Sequence, residues 1–371
     1  MPDPMDDIAP DGMAMPAEPG QVNDVLPLLR EIMGHDNLAE ALEDGELTRI
    51  AQEVIEEYDI DKNSMSSWYD EMKAGLDLAR MVKSDRKSIN RASNVCYPLV
   101  ASAALQFNAR AYPAIVPSGQ PVYCKAQGAD KSGQKAARAE RVQEHLGWQL
   151  LTQITEWEPE TDSLLTLLPI VGTMIRKVWY DPTLGRPRVK LCDAGAVVIN
   201  DNVQSIDSAP RVSEEVSLYP HEIESRKRAG IFLNVDLGDA VQLPGDETGG
   251  EGETTAHDPS APHMFIEQHR RIDIDGDGYP EPYIVTVHHA MAKVVRIVAN
   301  FDADSIHVDS PDMDEAGQIT GKGVTAIRPR DYYVKYDFLP PIDGGFWGTG
   351  FGLLLGDLSH AINSGINILI D

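Results

Sequence analysis

Residues 335–371 read KYDFLPPIDGGFWGTGFGLLLGDLSHAINSGINILID, and this stretch decides the fold. A strand-like run (Tyr332, Tyr333, Val334, Tyr336) leads into Pro340 and Pro341. A Gly/aromatic cluster follows, with Gly344, Gly345, Phe346, Trp347, Gly348, Gly350, Phe351 and Gly352. An apolar helix then opens, marked by Leu353, Leu354, Gly356, Asp357, Ala361, Ile362, Asn363 and Asn367, and runs to Asp371. No C-cap residue, polar run or Pro ends it, so the polypeptide is expected to continue. The Gly348–Gly352 run before a helix could cradle a phosphate. It lacks the preceding strand and acidic partner of a dinucleotide fold, so close packing of backbone against aromatic neighbours is the better reading. Gly344-Gly345 is not followed by Lys-Ser/Thr, which removes a P-loop.

Working back towards the N-terminus, the pattern changes period once. Residues 1–20 are rich in Pro, Asp, Met and Gly and read as a disordered tail. Residues 23–58 carry acidic amphipathic helices (Val25, Leu26, Leu28, Leu29, then Ile50, Val54, Ile55). A long helix follows over 64–83, with Ser64 as N-cap and a Trp68, Met72, Leu76, Ala79, Val82 stripe. A further helix after Pro98 buries Leu99, Ala103, Ala104, Phe107 and Ala111 and is expected to stop at Pro113. Helices are also expected over 135–156 and 161–171, the last kinked at Pro169. From there the period is two. Residues 174–181 and 188–193 form a hairpin around DPTLGRP, and 196–200, 211–219, 263–274 and 283–301 read as further strands, with a short helix over 221–229. Two acidic loops, 239–262 and 302–325, interrupt them. Helices first, then strands, then a closing helix make an α+β class.

At 371 residues, with 42% hydrophobic residues, the chain can bury a real core. Its formal charge of −27 argues against a protein that grips nucleic acid through phosphates. The acidity serves solubility, or repels a duplex that must pass without being held. Cys96, Cys124 and Cys192 are too far apart for a CxxC pair, which fits a reducing cytoplasm and no zinc site or disulfide framework. The N-terminus has no basic start or apolar core of a signal peptide. No apolar run is read as approaching the ~20 residues of a bilayer span, so no membrane partner is expected.

Among motifs, Asp273, Asp275 and Asp277 occupy positions 1, 3 and 5 of an EF-hand-like loop with Gly278 at position 6. Position 12 is Ile284 rather than Glu, both flanks read as strands, and Glu281 is the substitute oxygen ligand. A calcium-dependent binding protein is therefore one alternative, and a tight Asp/Gly turn the plainer one. His288 and His289 alternate on a strand and cannot chelate one metal together. His221-Glu222 lacks a second zincin His, and no Ser lies in a G-x-S-x-G context, so no catalytic site is expected. Lys83, Arg86, Lys87, Arg91 and Arg110 form a basic island that is either a solvated helix end or a contact to DNA or an acidic neighbouring subunit. Arg138, Arg141, Arg176, Lys177, Arg186, Arg188 and Lys190 are expected to pair with carboxylates within or between subunits.

Three segments in order resemble the bacteriophage portal family of short-tailed phages. They are Asn90, Asn94, Tyr97 and Pro98 at a helix start, the Asp/Gly turn over 273–283, and the Gly-rich turn and Leu-Leu-Gly-Asp helix over 336–371. The resemblance implies a portal-like wing of long helices plus mixed or antiparallel sheet units, ending in an inner helix. Residues 1–44 would be an acidic arm, 45–345 the wing, and 346–371 the start of the helix leading to the stem. Stem, clip and crown would lie beyond this chain, because family members are considerably longer. It implies a homo-oligomeric, dodecameric ring in the virion at one capsid vertex, assembled in the host cytoplasm. Double-stranded DNA would pass through it. The terminase large subunit, major capsid and scaffolding proteins, and head-completion or tail adaptor proteins would be its partners. It implies no catalysis and no cofactor, with Asp357 and Asp371 facing the channel. Another virion structural protein is the remaining alternative.

Overall fold

The computed structural model describes residue 32 and residues 34–83, 93–117, 119–181, 184–238, 260–274, 279–308, 324–341 and 344–371. Residues 1–31, most of both acidic loops, Arg86, Lys87, Arg91, Asp275 and Asp277 lie outside these.

The first two helices are α1 (Asp44–Ser64) and α2 (Ser66–Ala79). In α1, Ile50, Ala51, Val54 and Tyr58 recur at three- and four-residue spacing and are buried, as one apolar stripe on a 3.6-residue period requires. α3 (Leu99–Ile115), α4 (Gln134–Trp148) and α5 (Trp157–Val171) follow, with a π-helical turn at Gln149–Gln153 between the last two. Pro113 does not end α3, which continues to Ile115. Pro lacks only one donor and clashes only with the preceding turn, and at the last turn of a helix that cost is small against the packing of Val100 and Ala104.

Among the described residues, ten strands make three antiparallel sheets. β1 (Thr173–Asp181) and β2 (Arg186–Leu191) form the hairpin, and β10 (Tyr333–Asp337) joins as β1's other neighbour, Thr173 opposite Asp337. β3 (Val197–Val198), β4 (Arg211–Leu218), β5 (His263–Ile272), β6 (Glu281–His288) and β7 (Lys293–Ala299) form a five-stranded sheet in chain order. A short helix α6 (Pro220–Arg228) links β4 to β5. β8 (Ile306–Val308) and β9 (Val324–Ile327) pair separately. The strand expected over 196–200 shrinks to Val197–Val198. Residues 283–301 are two strands around a turn at Ala292, whose φ is +47°. The closing helix is α7 (Phe351–Ile370). The chain is α+β.

The cores follow from the layers. α1 covers the five-stranded sheet, with Ile50, Val54 and Tyr58 against Ile266, Tyr283, Val285 and Ile297. A second core joins α2, α3, α5 and the start of β1 through Met72, Val100, Ala104, Leu164, Leu168 and Met174. A third, with Ile175, Cys192, Ile199, Val212, Tyr333 and Phe346, lies where the two larger sheets meet.

Candidate functional site

Three features carry the chemistry of the surface and the joints. The first is the path of residues 338–371. Gly172 ends α5 at φ +97°, and its carbonyl accepts from Phe338 N–H at 2.8 Å. The Gly348–Gly350 backbone crosses this junction so closely that a Cβ on Gly348 would lie 2.5 Å from the Leu339 carbonyl. Gly350 is the N-cap of α7 and abuts the Ile170 carbonyl, so protein backbone occupies the space at the helix start. Two residues on, a Cβ on Gly352 would lie 2.6 Å from Gly75 Cα, so α7 crosses α2 at backbone contact. Trp347 stacks on Trp68 of α2 with centroids 3.8 Å apart. Gly344 takes a left-handed φ of +76°, and Gly345 lies beside it. Phe351 packs edge-on to Phe338, and Asp357 is exposed.

α7 then runs beside an extended segment, 93–97. Asn363 Oδ1 accepts from Tyr97 N–H at 2.7 Å, Asn367 Oδ1 from Val95 N–H at 2.8 Å, and Asp371 Oδ1 from Ser93 N–H at 2.6 Å. Contrary to the reading that no apolar run approaches a membrane span, α7 is long and apolar enough to cross a membrane by length and composition alone. Its Leu353, Leu354, Leu358, Ile368, Leu369 and Ile370 are all exposed.

The second feature is a buried charge joint between the sheets. Lys177 Nζ on β1 donates to Glu214 and Glu267 of the five-stranded sheet, at 2.6 Å each. Lys190 of β2 reaches Glu214 at 3.0 Å, and Tyr333 OH donates to Glu214 at 3.0 Å. Burial opposes both ionised carboxylates, but the Lys177 ammonium outweighs it and holds each below the usual range. Lys177 is raised in turn, its two carboxylates outweighing its own burial. Arg186 and Arg188 pair with Glu156, while Arg176 is buried and donates to Thr161 Oγ1 at 3.1 Å. Four of the seven cations expected to pair with carboxylates therefore do so inside the subunit, and Arg176 meets a hydroxyl instead.

The third feature is α4, which holds the other two. Among the described residues, Arg138 and Arg141 make no salt bridge, and neither do Lys125, Lys131 or Lys135 beside them. Of the basic island, Lys83 is exposed beyond the end of α2, which stops at Ala79 rather than running to residue 83, and Arg110 lines a groove between α3 and α7 with Phe107 and Phe351. Asp273 follows β5, and Glu281 is buried in β6 opposite Ile272. Among the described residues, no three His, Cys, Asp or Glu converge as a metal site. His288 faces His263 at 3.0 Å, whereas His289 packs edge-on to Tyr58.

The sheet joint was hidden in the sequence, because Glu214 and Glu267 are unremarkable among 59 acidic residues. The α7 ladder had a readable signal in Asn363, Asn367 and Asp371, spaced by four. No protein-family model matches this sequence, and no curated protein is significantly similar to it.

Proposed function

We propose that this chain is a subunit of a phage portal, a ring at a capsid vertex through which double-stranded DNA is packaged and ejected. The observation that carries the reading is the course of residues 332–371. The strand, Gly-rich crossing and apolar helix that carry the sequence resemblance form one continuous unit on β1, α5 and α2. That unit leaves six large apolar side chains of α7 in solvent. Exposed apolar faces of this extent mark contact with other protein or lipid surface. A head-to-tail contact repeated around an axis closes into a ring.

The charge supports the same reading. A subunit charge of −27 repeated around a ring sets up a field that repels phosphate. A moving duplex would pass such a wall without the counterion-release affinity that a basic groove confers. The ring would be a passive conduit, with the work of packaging done by the terminase docked on it.

Native mass spectrometry with negative-stain imaging of the full chain tests the proposal. A closed, rotationally symmetric ring, dodecameric as the resemblance implies, is the expected result. A monomer that stays monomeric at high concentration, or a twofold dimer, would overturn it.

A further inference from the structure

α4 is a helix without enough intramolecular reason to exist. Of its 15 residues only Gly147 is buried. Isolated helices of about this length are marginal in water. Its ties to the rest of the subunit are few. Gln143 receives Gln120 Nε2 on its carbonyl and Cys124 N–H on its side chain, and Asp130 caps the first turn through Ala136 N–H at 2.9 Å.

Its charge is anomalous in the same place. Residues 120–148 hold five Lys/Arg and three Asp/Glu in a chain of net −27, and one of those three, Asp130, is used as the cap. Lys135, Arg138 and Arg141 recur every three residues, are exposed, and make no ion pair among the described residues. Val142 and Trp148 stand exposed beside them. α1 presents the opposite surface, with Glu56, Asp59 and the apolar Ile60 exposed at helical spacing and neither carboxylate in a salt bridge.

We propose that α4 is an intersubunit arm that docks on the exposed acidic face of α1 in a second copy of this chain. The inference rests on the ring reading and names the contact that closes it. Charge complementarity selects this occupant. The cations of α4 are interleaved with Glu140 and Glu144, a mixed pattern that sets register against a protein surface. A phosphate backbone favours an unbroken basic track instead. Made head-to-tail, as the ring reading requires, the contact propagates from copy to copy, whereas a reciprocal α4–α1 exchange would close a twofold dimer and overturn that reading.

Charge exchange in the full chain tests this. The triple variant K135E/R138E/R141E and the double variant E56K/D59K should each match the circular dichroism and Tm of the wild-type chain at a dilution where none of them assembles, since these side chains make no salt bridge within the subunit. Each alone should associate about tenfold more weakly or worse in sedimentation velocity, with the wild-type association weakening as salt rises. Mixing the two variants should restore assembly, because each then meets the opposite charge on both sides. Triple-variant assembly equal to wild type would overturn the α4 contact while leaving the ring reading intact. Loss without restoration on mixing would overturn α1 as the counterpart. Unchanged assembly with lost retention of duplex DNA would make α4 a nucleic-acid face and overturn the proposal. A wild-type chain that never assembles would sink the ring reading as well.

Discussion

Asn367 and Val95 exchange two hydrogen bonds. The Val95 N–H donates to Asn367 Oδ1 at 2.8 Å, and Asn367 Nδ2 donates to the Val95 carbonyl at 3.1 Å. An amide side chain thus pairs with backbone as a neighbouring strand would. The match extends along both elements, because four residues of helix rise about 6 Å and two residues of strand about 6.6 Å. Asn363, Asn367 and Asp371 therefore meet alternate residues Tyr97, Val95 and Ser93 in step.

Asn367→Ala should cost about 1–3 kcal/mol, since it strips both partners from the Val95 backbone. Hydrogen exchange at the Val95 amide should accelerate with it. Unchanged protection at Val95 would show that the ladder holds nothing.

Gly352→Ala and Gly356→Ala separate packing from propensity on one helix. The first places a methyl 2.6 Å from Gly75 Cα and should cost about 1–3 kcal/mol through displacement of α7 from α2. The second has ordinary clearance, 3.7 Å to Leu78 Cδ1, and should be neutral or stabilising by up to about 1 kcal/mol. Thermal denaturation of the pair checks the contrast; equal shifts would refute the close crossing.

Lys177→Met leaves the buried Glu214 and the part-buried Glu267 beside an apolar side chain and should destabilise by about 3 kcal/mol. Lys190→Met removes a half-exposed partner of the same Glu214 and should cost about 1 kcal/mol or less. Comparable losses in urea melts would mean that Lys177 is not the hub of the joint.

His288 is neutral in the fold. Met291 N–H donates to its Nδ1 at 3.2 Å, so its own proton sits on Nε2 and points at His263 Nδ1. Burial, then the neighbouring His263, pull its pKa from 6.5 down to about 4. The unfolded chain therefore takes up a proton below pH 6.5 that the fold refuses. Stability is full above pH 6.5 and falls as the pH drops towards 4. His288→Gln should flatten that segment of the Tm-against-pH curve; an unaltered slope would assign it elsewhere.

Cys192 is buried, and desolvation, with Glu214 adding to it, pushes its thiol up to about 12. It should resist iodoacetamide at pH 8 in the folded protein and react after denaturation, because the thiolate is the nucleophile. Native-state labelling of Cys192 at the rate of a free thiol, read by peptide mapping, would contradict that burial.

Local order was legible wherever one periodicity dominates. The stripe Ile50, Val54, Tyr58 announces α1, and alternation around DPTLGRP announces the β1–β2 hairpin, because each depends on neighbours within a few residues. The Gly-rich turn was legible as a place of close packing, but the neighbours expected there were aromatic side chains, whereas Gly348, Gly350 and Gly352 meet backbone. Gly172 and Gly75 lie far from Gly348 and Gly352 in sequence. Nor could local pattern tell which cations spend their charge inside the subunit. Lys177 and Arg141 look alike in the chain, yet one sits between two carboxylates and the other has none.

By itself, then, the sequence determined the α+β class, the net charge and the apolar helix at residues 351–370, all set by composition and short-range period. Only the tertiary structure decided that β10 returns to pair with β1 across some 160 intervening residues, that Asn367 reads Val95 as a strand, and that α4 keeps its cations unspent. Pairings of that kind depend on which surfaces burial brings together, and no local propensity encodes them.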